Sequence, residues 1–133
     1  MIKKALLILL NSNGEIFLQD RSGHRPPPWG FFGGSIEAGE SPQEAVLRET
    51  EEELNIKLSG SDVEFVGRFD SQFEGEDSER YFFLYQTDRE TFEVLEGAGG
   101  KWMDFEEAEK RLVAFDRLRG LQQMINQLMG KKN

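Results

Sequence analysis

The first apolar stretch of the chain, Ala5-Leu6-Leu7-Ile8-Leu9-Leu10, is unbroken and follows Lys3-Lys4, the pattern of a strand buried on both faces. A second strand is read over residues 15–19, around Ile16-Phe17-Leu18. Asn13-Gly14, a dipeptide that tolerates the positive φ of tight hairpin turns, joins it to a first strand at residues 3–10. Arg21-Ser22-Gly23-His24-Arg25-Pro26-Pro27-Pro28 is expected to be a surface loop, since three successive prolines remove amide donors and fix φ. Residues 29–32 read as one short aromatic strand running into Gly33-Gly34. Residues 63–70 and 80–87 alternate as strands do, with an acidic loop, Glu74-Gly75-Glu76-Asp77-Ser78-Glu79, expected between them. Gly97-Ala98-Gly99-Gly100 reads as a flexible loop before a short strand near Trp102.

Helical signals are local and strong in one place. Ser41 is an N-cap candidate, Pro42 stands at the first helical position and Glu44 lies three residues after the cap, which makes a capping box. The helix should run to about Leu54, with Asn55 as the left-handed residue that ends it. Asp104 with Glu107 caps a second helix. A last helix over about residues 116–129 carries Leu118, Leu121, Met124, Ile125 and Leu128 on one stripe. Strands and helices interleave, so the fold class is α/β or α+β, with helices on a mixed sheet.

A length of 133 residues suits a single domain over 1–133, and eleven phenylalanines supply enough apolar mass for a core. Charge changes the picture more. Sixteen Lys and Arg stand against 25 Asp and Glu, a net charge of −9, which argues against nucleic-acid partners and against docking on an anionic membrane. A polyanionic substrate would need a divalent cation to meet it. The chain has no cysteine, which excludes disulfides, thiolate nucleophiles and Cys-based zinc sites and suits a reducing compartment. The first apolar run is too short for a secretory signal and no run has membrane-spanning length, so a cytoplasmic protein, monomer or homodimer, is expected.

Candidate chemistry lies on the first helix. At ~100° per residue, Glu49, Glu52 and Glu53 share about a third of its circumference, with small Ala45 one turn earlier. Leu47, Thr50 and Leu54 take the opposite side, toward a sheet. Two readings fit such a face: a solvated acidic surface, or a hard-cation site in which Mg²⁺ or Mn²⁺ turns carboxylate repulsion into coordination.

What precedes the face decides between them. Gly34, five residues, Glu40, seven residues and then Arg48-Glu49-Thr50-Glu51-Glu52-Glu53-Leu54-Asn55-Ile56 resembles the Nudix box, over residues 34–56. Two positions depart from the pattern: Thr50 stands for an aliphatic residue, and Asn55 for the closing glycine. The resemblance implies a Nudix αβα sandwich, a mixed sheet between helices with a loop–helix–loop box. It implies a pyrophosphohydrolase that cleaves a diphosphate linkage of a small nucleoside diphosphate derivative with Mg²⁺ or Mn²⁺. The leading substrate class is a (d)NTP or an oxidised nucleotide. Nucleotide-sugar hydrolysis and a non-catalytic nucleotide- or metabolite-binding module are the alternatives.

The resemblance also implies roles. Glu49, Glu52 and Glu53 would ligate cations together with the Gly34 carbonyl, while Arg48, reaching Glu44 or Glu40, would orient the carboxylates. Glu49 or Glu52 could orient the attacking water. A late-loop carboxylate, Glu96, six residues before Trp102, would serve as base or extra ligand; relatives that place it directly before the tryptophan have no counterpart here, where Lys101 stands. Glu76 and Asp77 are its rivals. Substrate contacts fall to Gly33, Glu40, Arg21, His24, Arg25 and Phe73. Phe69 shares with Phe73 the candidate role of stacking a base, and the plainer readings are His24 and Arg25 as surface residues, Arg21 as a cap on the sheet edge, and Phe69 and Phe73 as packing.

Overall fold

The computed structural model describes residues 1–21, 29–73, 75–96, 98–112, 122–123 and 125–127, apart from the side chains of Ser71 and Phe73. Among them are seven strands and two α-helices: β1 (Ile2–Leu10), β2 (Glu15–Asp20), β3 (Trp29–Gly30), β4 (Phe32–Ser35), α1 (Pro42–Leu54), β5 (Glu64–Phe73), β6 (Glu76–Gln86), β7 (Gly100–Asp104) and α2 (Phe105–Arg111). One mixed sheet runs β3-β2-β1-β6-β5, with β4 on β1 and β7 on β2. β1 and β6 are parallel, from Ile2↔Ser78 to Leu10↔Gln86. The other pairings are antiparallel.

β1 is apolar and buried from Ala5 to Leu10 because both of its faces are covered there. Ala5, Leu7 and Leu9 pack with Phe17, Phe32, Phe83 and, from α1, Ala45, Val46 and Leu54. Leu6, Ile8 and Leu10 pack on the other side with Ile16, Leu18, Phe31, Phe82, Leu84 and Met103, under Ala108 of α2 and Ile125. This is the α+β arrangement expected, with helices on both sheet faces. Residues 122–123 and 125–127 are helical; the rest of the expected terminal helix, with Leu118, Leu121, Met124 and Leu128, lies outside the described residues. No helix among the described residues is long and apolar enough to cross a membrane.

Two expectations need correction. The aromatic segment is two strands rather than one: Asp20↔Trp29 and Gln19↔Gly30 pair β3 with β2, whereas β4 crosses to β1, with Leu7↔Phe32 and Leu6↔Gly33. The step at Phe31 lets β4 bring two glycines beside α1. The acidic loop is mostly strand: β5 and β6 pair down to Phe73↔Glu76, with Gly75 at φ 82° in the turn. Its charges are tolerated because the extension is solvated and locally paired. Arg68 bonds Asp70 through both nitrogens at 2.9 Å, and Gln72 bonds Asp77 at 3.1 Å. Before β7 the Ala98 amide donates to Asp20 O and the Asp20 amide to Gly99 O, both at 2.9 Å.

Candidate active site

The box helix begins and ends on local chemistry. Ser41 accepts from the Glu44 amide at 3.1 Å and Glu44 accepts from the Ser41 amide at 2.9 Å, closing the capping box. Asn55, at φ 54° and ψ 38°, ends the helix in the left-handed conformation that the closing glycine of the motif would adopt. Thr50, the other departure from the motif, is buried and donates its hydroxyl to Val46 O at 2.6 Å, so the replacement leaves no polar atom stranded.

The acidic face is graded rather than uniformly solvated. Glu52 is 52% exposed and Glu49 is 16% exposed, but Glu53 is only 3% exposed. Ala45, expected on the open face, is fully buried on the sheet. The helix is rolled so that the Ala45–Glu49–Glu53 line points into the seam between α1 and β4. There the Gly33 amide donates to Glu53 Oε1 at 2.7 Å, and the Gln19 side chain reaches Glu53 Oε2 at 3.4 Å. Burial is the main force raising the Glu53 pKa, to about 8; the Gly33 hydrogen bond opposes it, and the charges of Glu49 and Glu96 add to it. Burial also raises Glu49, against the pull of Arg48, with Glu52 and Glu96 contributing repulsion.

Two glycines make this seam possible. Gly33 sits at φ 135°, and a Cβ there would run into the backbone oxygen of Ala5. A Cβ on Gly34 would lie 2.5 Å from the Glu49 carboxylate, so a side chain there would fill the space in front of it.

Arg48 holds the loop to the helix. Its Nε and Nη2 donate to Glu40 at 2.7 and 3.0 Å, Nη2 also to Ser35 O at 3.0 Å, and Nη1 to Glu49 at 3.1 Å and Glu52 at 3.4 Å. Of the two partners expected for Arg48, Glu40 is the one used. That two-pronged hydrogen bond, with the Glu37 backbone, lowers the Glu40 pKa to about 2.

Glu96 reaches this corner from a distant part of the chain. Its carbonyl accepts from Gln19 Nε2 at 3.2 Å, the neighbouring Leu95 amide donates to Glu53 O at 2.7 Å, and its charge acts on both Glu49 and Glu53. The rivals are engaged elsewhere: Glu76 with the N-terminal amine at 3.2 Å, Asp77 with Gln72. Lys101 pairs with Glu107 at 3.1 Å.

Other expected residues divide. Arg21 folds over Gly30 and donates to Trp29 O at 3.2 Å, the edge-capping alternative. Phe69 packs edge-on against Phe82 at 5.6 Å, the packing alternative. Phe73 ends β5 at the hairpin tip opposite Glu76, its side chain outside the description, and His24 and Arg25 lie outside the described residues. Gln19 was missed. Its signal was a polar residue two positions after Phe17 on the same inward strand face.

Whether this corner fits a divalent cation can be judged from its donors. The set is hard oxygen only, which suits Mg²⁺ or Mn²⁺. Among the described residues, the half-buried Glu49 and the buried Glu53, which repel each other, have Arg48 as the positive charge beside them. Among the described residues, however, no three acidic or histidine side chains converge as a ready-made cage. The donors fit by chemistry.

Fold and site together are a mixed sheet with helices on both faces and one helix that presents carboxylates beside a pair of glycines. The NUDIX domain model matches residues 2–123, and the chain belongs to the Nudix family, which is generally dependent on divalent metals. Among curated relatives, the 8-oxo-dGTP diphosphatase of Escherichia coli (strain K12) is 32% identical over 101 residues, 74% of this chain and 77% of that protein. An RNA pyrophosphohydrolase of Alkalilimnicola ehrlichii is 43% identical over 61 residues, 46% of this chain and only 32% of that protein. A solved MutT, from a study of the Aliivibrio salmonicida and Vibrio cholerae proteins, superposes with TM-score 0.72 at 28% identity, covering 95% of this chain and 98% of that one.

Proposed function

We propose that the protein hydrolyses a phosphoanhydride of a free nucleotide, a (d)NTP or an oxidised nucleotide, with Mg²⁺ or Mn²⁺ held by Glu49, Glu52, Glu53 and the Gly34 carbonyl. The observation that carries this is the Glu53 carboxylate, buried to 3% exposure against the Gly33 amide with Glu49 and Glu96 as like-charged neighbours. A carboxylate kept there without a cation is a liability, and with one it is a ligand.

The bound cation would polarise the phosphoryl oxygens and supply an activated water at neutral pH. The chain's own groups do the positioning. Arg48 keeps Glu49 and Glu52 turned toward the loop and anchors the loop through Glu40. The Gly33 amide fixes one oxygen of Glu53, and the other, which Gln19 reaches at 3.4 Å, keeps a lone pair for the cation. Glu96 accepts the proton of the attacking water as the new P–O bond forms and the anhydride P–O bond breaks, the electron pair leaving on the departing phosphate.

A free nucleotide is favoured over a polynucleotide by the net charge of −9, which repels an extended phosphate backbone. The similarity to the 8-oxo-dGTP diphosphatase spans most of both chains and supports the same class. The absence of cysteine fits a cytoplasmic setting.

The test is turnover on a panel of dNTPs, 8-oxo-dGTP, nucleotide sugars and RNA bearing a 5′-triphosphate, with Mg²⁺ and with chelator. The highest kcat/KM is expected on one of the mononucleotide triphosphates. Preference for a nucleotide sugar or for RNA ends would overturn the substrate assignment, and no turnover on any anhydride would favour a binding module.

A further inference from the structure

Gln19 is an amide placed where the strand pattern calls for an apolar side chain. It follows Phe17 on the face of β2 that packs toward α1, and it is only 6% exposed. Both of its partners are acceptors: Glu53 Oε2 at 3.4 Å and the carbonyl of Glu96 at 3.2 Å. Two acceptors leave one choice for the amide, with nitrogen toward both, so a single NH₂ group joins the box helix to the Glu96 segment.

That segment needs such a fastening. Between β6 and β7 the described residues cross the α1 face of the sheet without regular secondary structure, held at successive points. The Thr87 amide donates to Leu10 O at 2.9 Å, and Trp102 Nε1 to Glu90 O at 3.1 Å. Phe92 packs on Phe17 with ring centroids 4.9 Å apart, and Asn55 Nδ2 donates to Glu93 at 3.0 Å. The Leu95 amide donates to Glu53 O at 2.7 Å, and beyond Glu96 the Ala98 amide donates to Asp20 O at 2.9 Å. Among the described residues, the side chain that reaches the backbone of Glu96 itself is Gln19.

We propose that Gln19 is a positioning residue for the hydrolytic reaction: its buried amide ties the Glu96 backbone to the Glu53 carboxylate and so fixes where the Glu96 carboxylate stands over the water. The role rests on the assignment of Glu96 as proton acceptor. Gln19 acts through Glu96, whose carbonyl its side chain holds. Glu53 keeps its shorter bond from Gly33, so the influence of Gln19 on the cation ligand is the smaller part.

The test is a double-mutant cycle on the full chain with Gln19→Met and Glu96→Gln, read as kcat and KM with Mg²⁺. Methionine matches glutamine in length and suits a buried position, but it cannot donate. Gln19→Met should lower kcat by about 10- to 100-fold, the range for groups that orient a catalytic side chain, while KM changes by less than about 3-fold. In the Glu96→Gln background the same change should lower kcat by less than about 2-fold, because the side chain through which it acts is already disabled. Amide hydrogen exchange across residues 94–99 should speed up in Gln19→Met with exchange in α1 unchanged, a signature that general destabilisation would not produce. If Gln19→Met folds poorly, Gln19→Asn, which keeps the amide but falls short of both partners, takes its place with the same expected losses. Full, multiplicative losses in the double mutant, or wild-type kcat in Gln19→Met, would overturn the tether. Wild-type kcat in Glu96→Gln would instead overturn the assignment of Glu96 itself.

Discussion

Replacing the Glu53 carboxyl by an amide should stabilise the cation-free protein, and the gain should grow with pH. Glu53 is 3% exposed, and burial, reinforced by Glu49 and Glu96, lifts its pKa from 4.5 to about 8 despite the Gly33 hydrogen bond. A carboxyl that binds its proton more tightly in the folded than in the unfolded state contributes its full stability below pH 4.5. That contribution is lost as pH rises toward 8 and is gone above it. At ~1.36 kcal/mol per pH unit the ceiling is about 5 kcal/mol, of which about 3 kcal/mol falls between pH 5 and pH 8. Water entry and side-chain relaxation around the charged form reduce what is observed. Glu53→Gln removes the titration and keeps an oxygen for the Gly33 amide. In calorimetry with chelator present, the Tm of the variant should match wild type near pH 5 and exceed it by up to about 10 °C at pH 8. Millimolar Mn²⁺ should reverse the order, because the cation rewards only the ionised carboxylate of the folded protein. Parallel Tm curves would refute the desolvation argument. A variant less stable than wild type at every pH would show that the carboxyl is structural.

The two glycines should fail in different ways. Gly33→Ala drives a methyl into the Ala5 backbone at a positive φ and should destabilise the fold by several kcal/mol, whereas Gly34→Ala meets only the mobile end of Glu49 and should depress kcat with Tm nearly unchanged. Steady-state kinetics beside thermal melts separates them, and equal Tm values for both would contradict the packing. Arg48→Lys cannot reproduce the two-pronged bond to Glu40 together with the contacts to Glu49 and Glu52, so kcat/KM should fall about 10- to 100-fold, and wild-type kinetics would remove Arg48 from the positioning role. Glu96→Gln should lower kcat about 100-fold while Glu76→Gln, at the hairpin tip, is nearly silent; the reverse pattern would move the proton acceptor to the hairpin.

How much could be read beforehand tracks how local each signal is. The box helix carries its own start and stop, so Ser41, Glu44 and Asn55 were legible as caps, and the Nudix box named the carboxylates. β1 and β2 were legible to within a residue because an unbroken apolar run and Asn-Gly leave few alternatives. Pairing partners were not. The division of residues 29–35 between β2 and β1 depends on strands distant in sequence, and the acidic segment became a hairpin because cross-strand pairing and solvation outweigh local charge. The inward turn of Glu53 was equally hidden: a helical wheel ranks faces, while the roll of α1 is set by Val46, Thr50 and Leu54 packing on the sheet. Glu96 was reached by family spacing alone. Gln19 becomes meaningful only once the segment before β7 is laid across the sheet.

Cation dependence at the box helix is the claim on which the rest stands, and a titration of metal-stripped protein tests it most directly. Hydrolysis of the best nucleotide substrate should be absent with EDTA and return with Mg²⁺ or Mn²⁺. Ca²⁺ should support less, since its looser geometry positions water poorly. In Glu53→Gln the concentration of Mn²⁺ needed for half activity, and the Mn²⁺ dissociation constant measured without substrate, should both rise about tenfold or more. Full turnover in metal-free buffer, or unchanged Mn²⁺ affinity in that variant, would contradict the account.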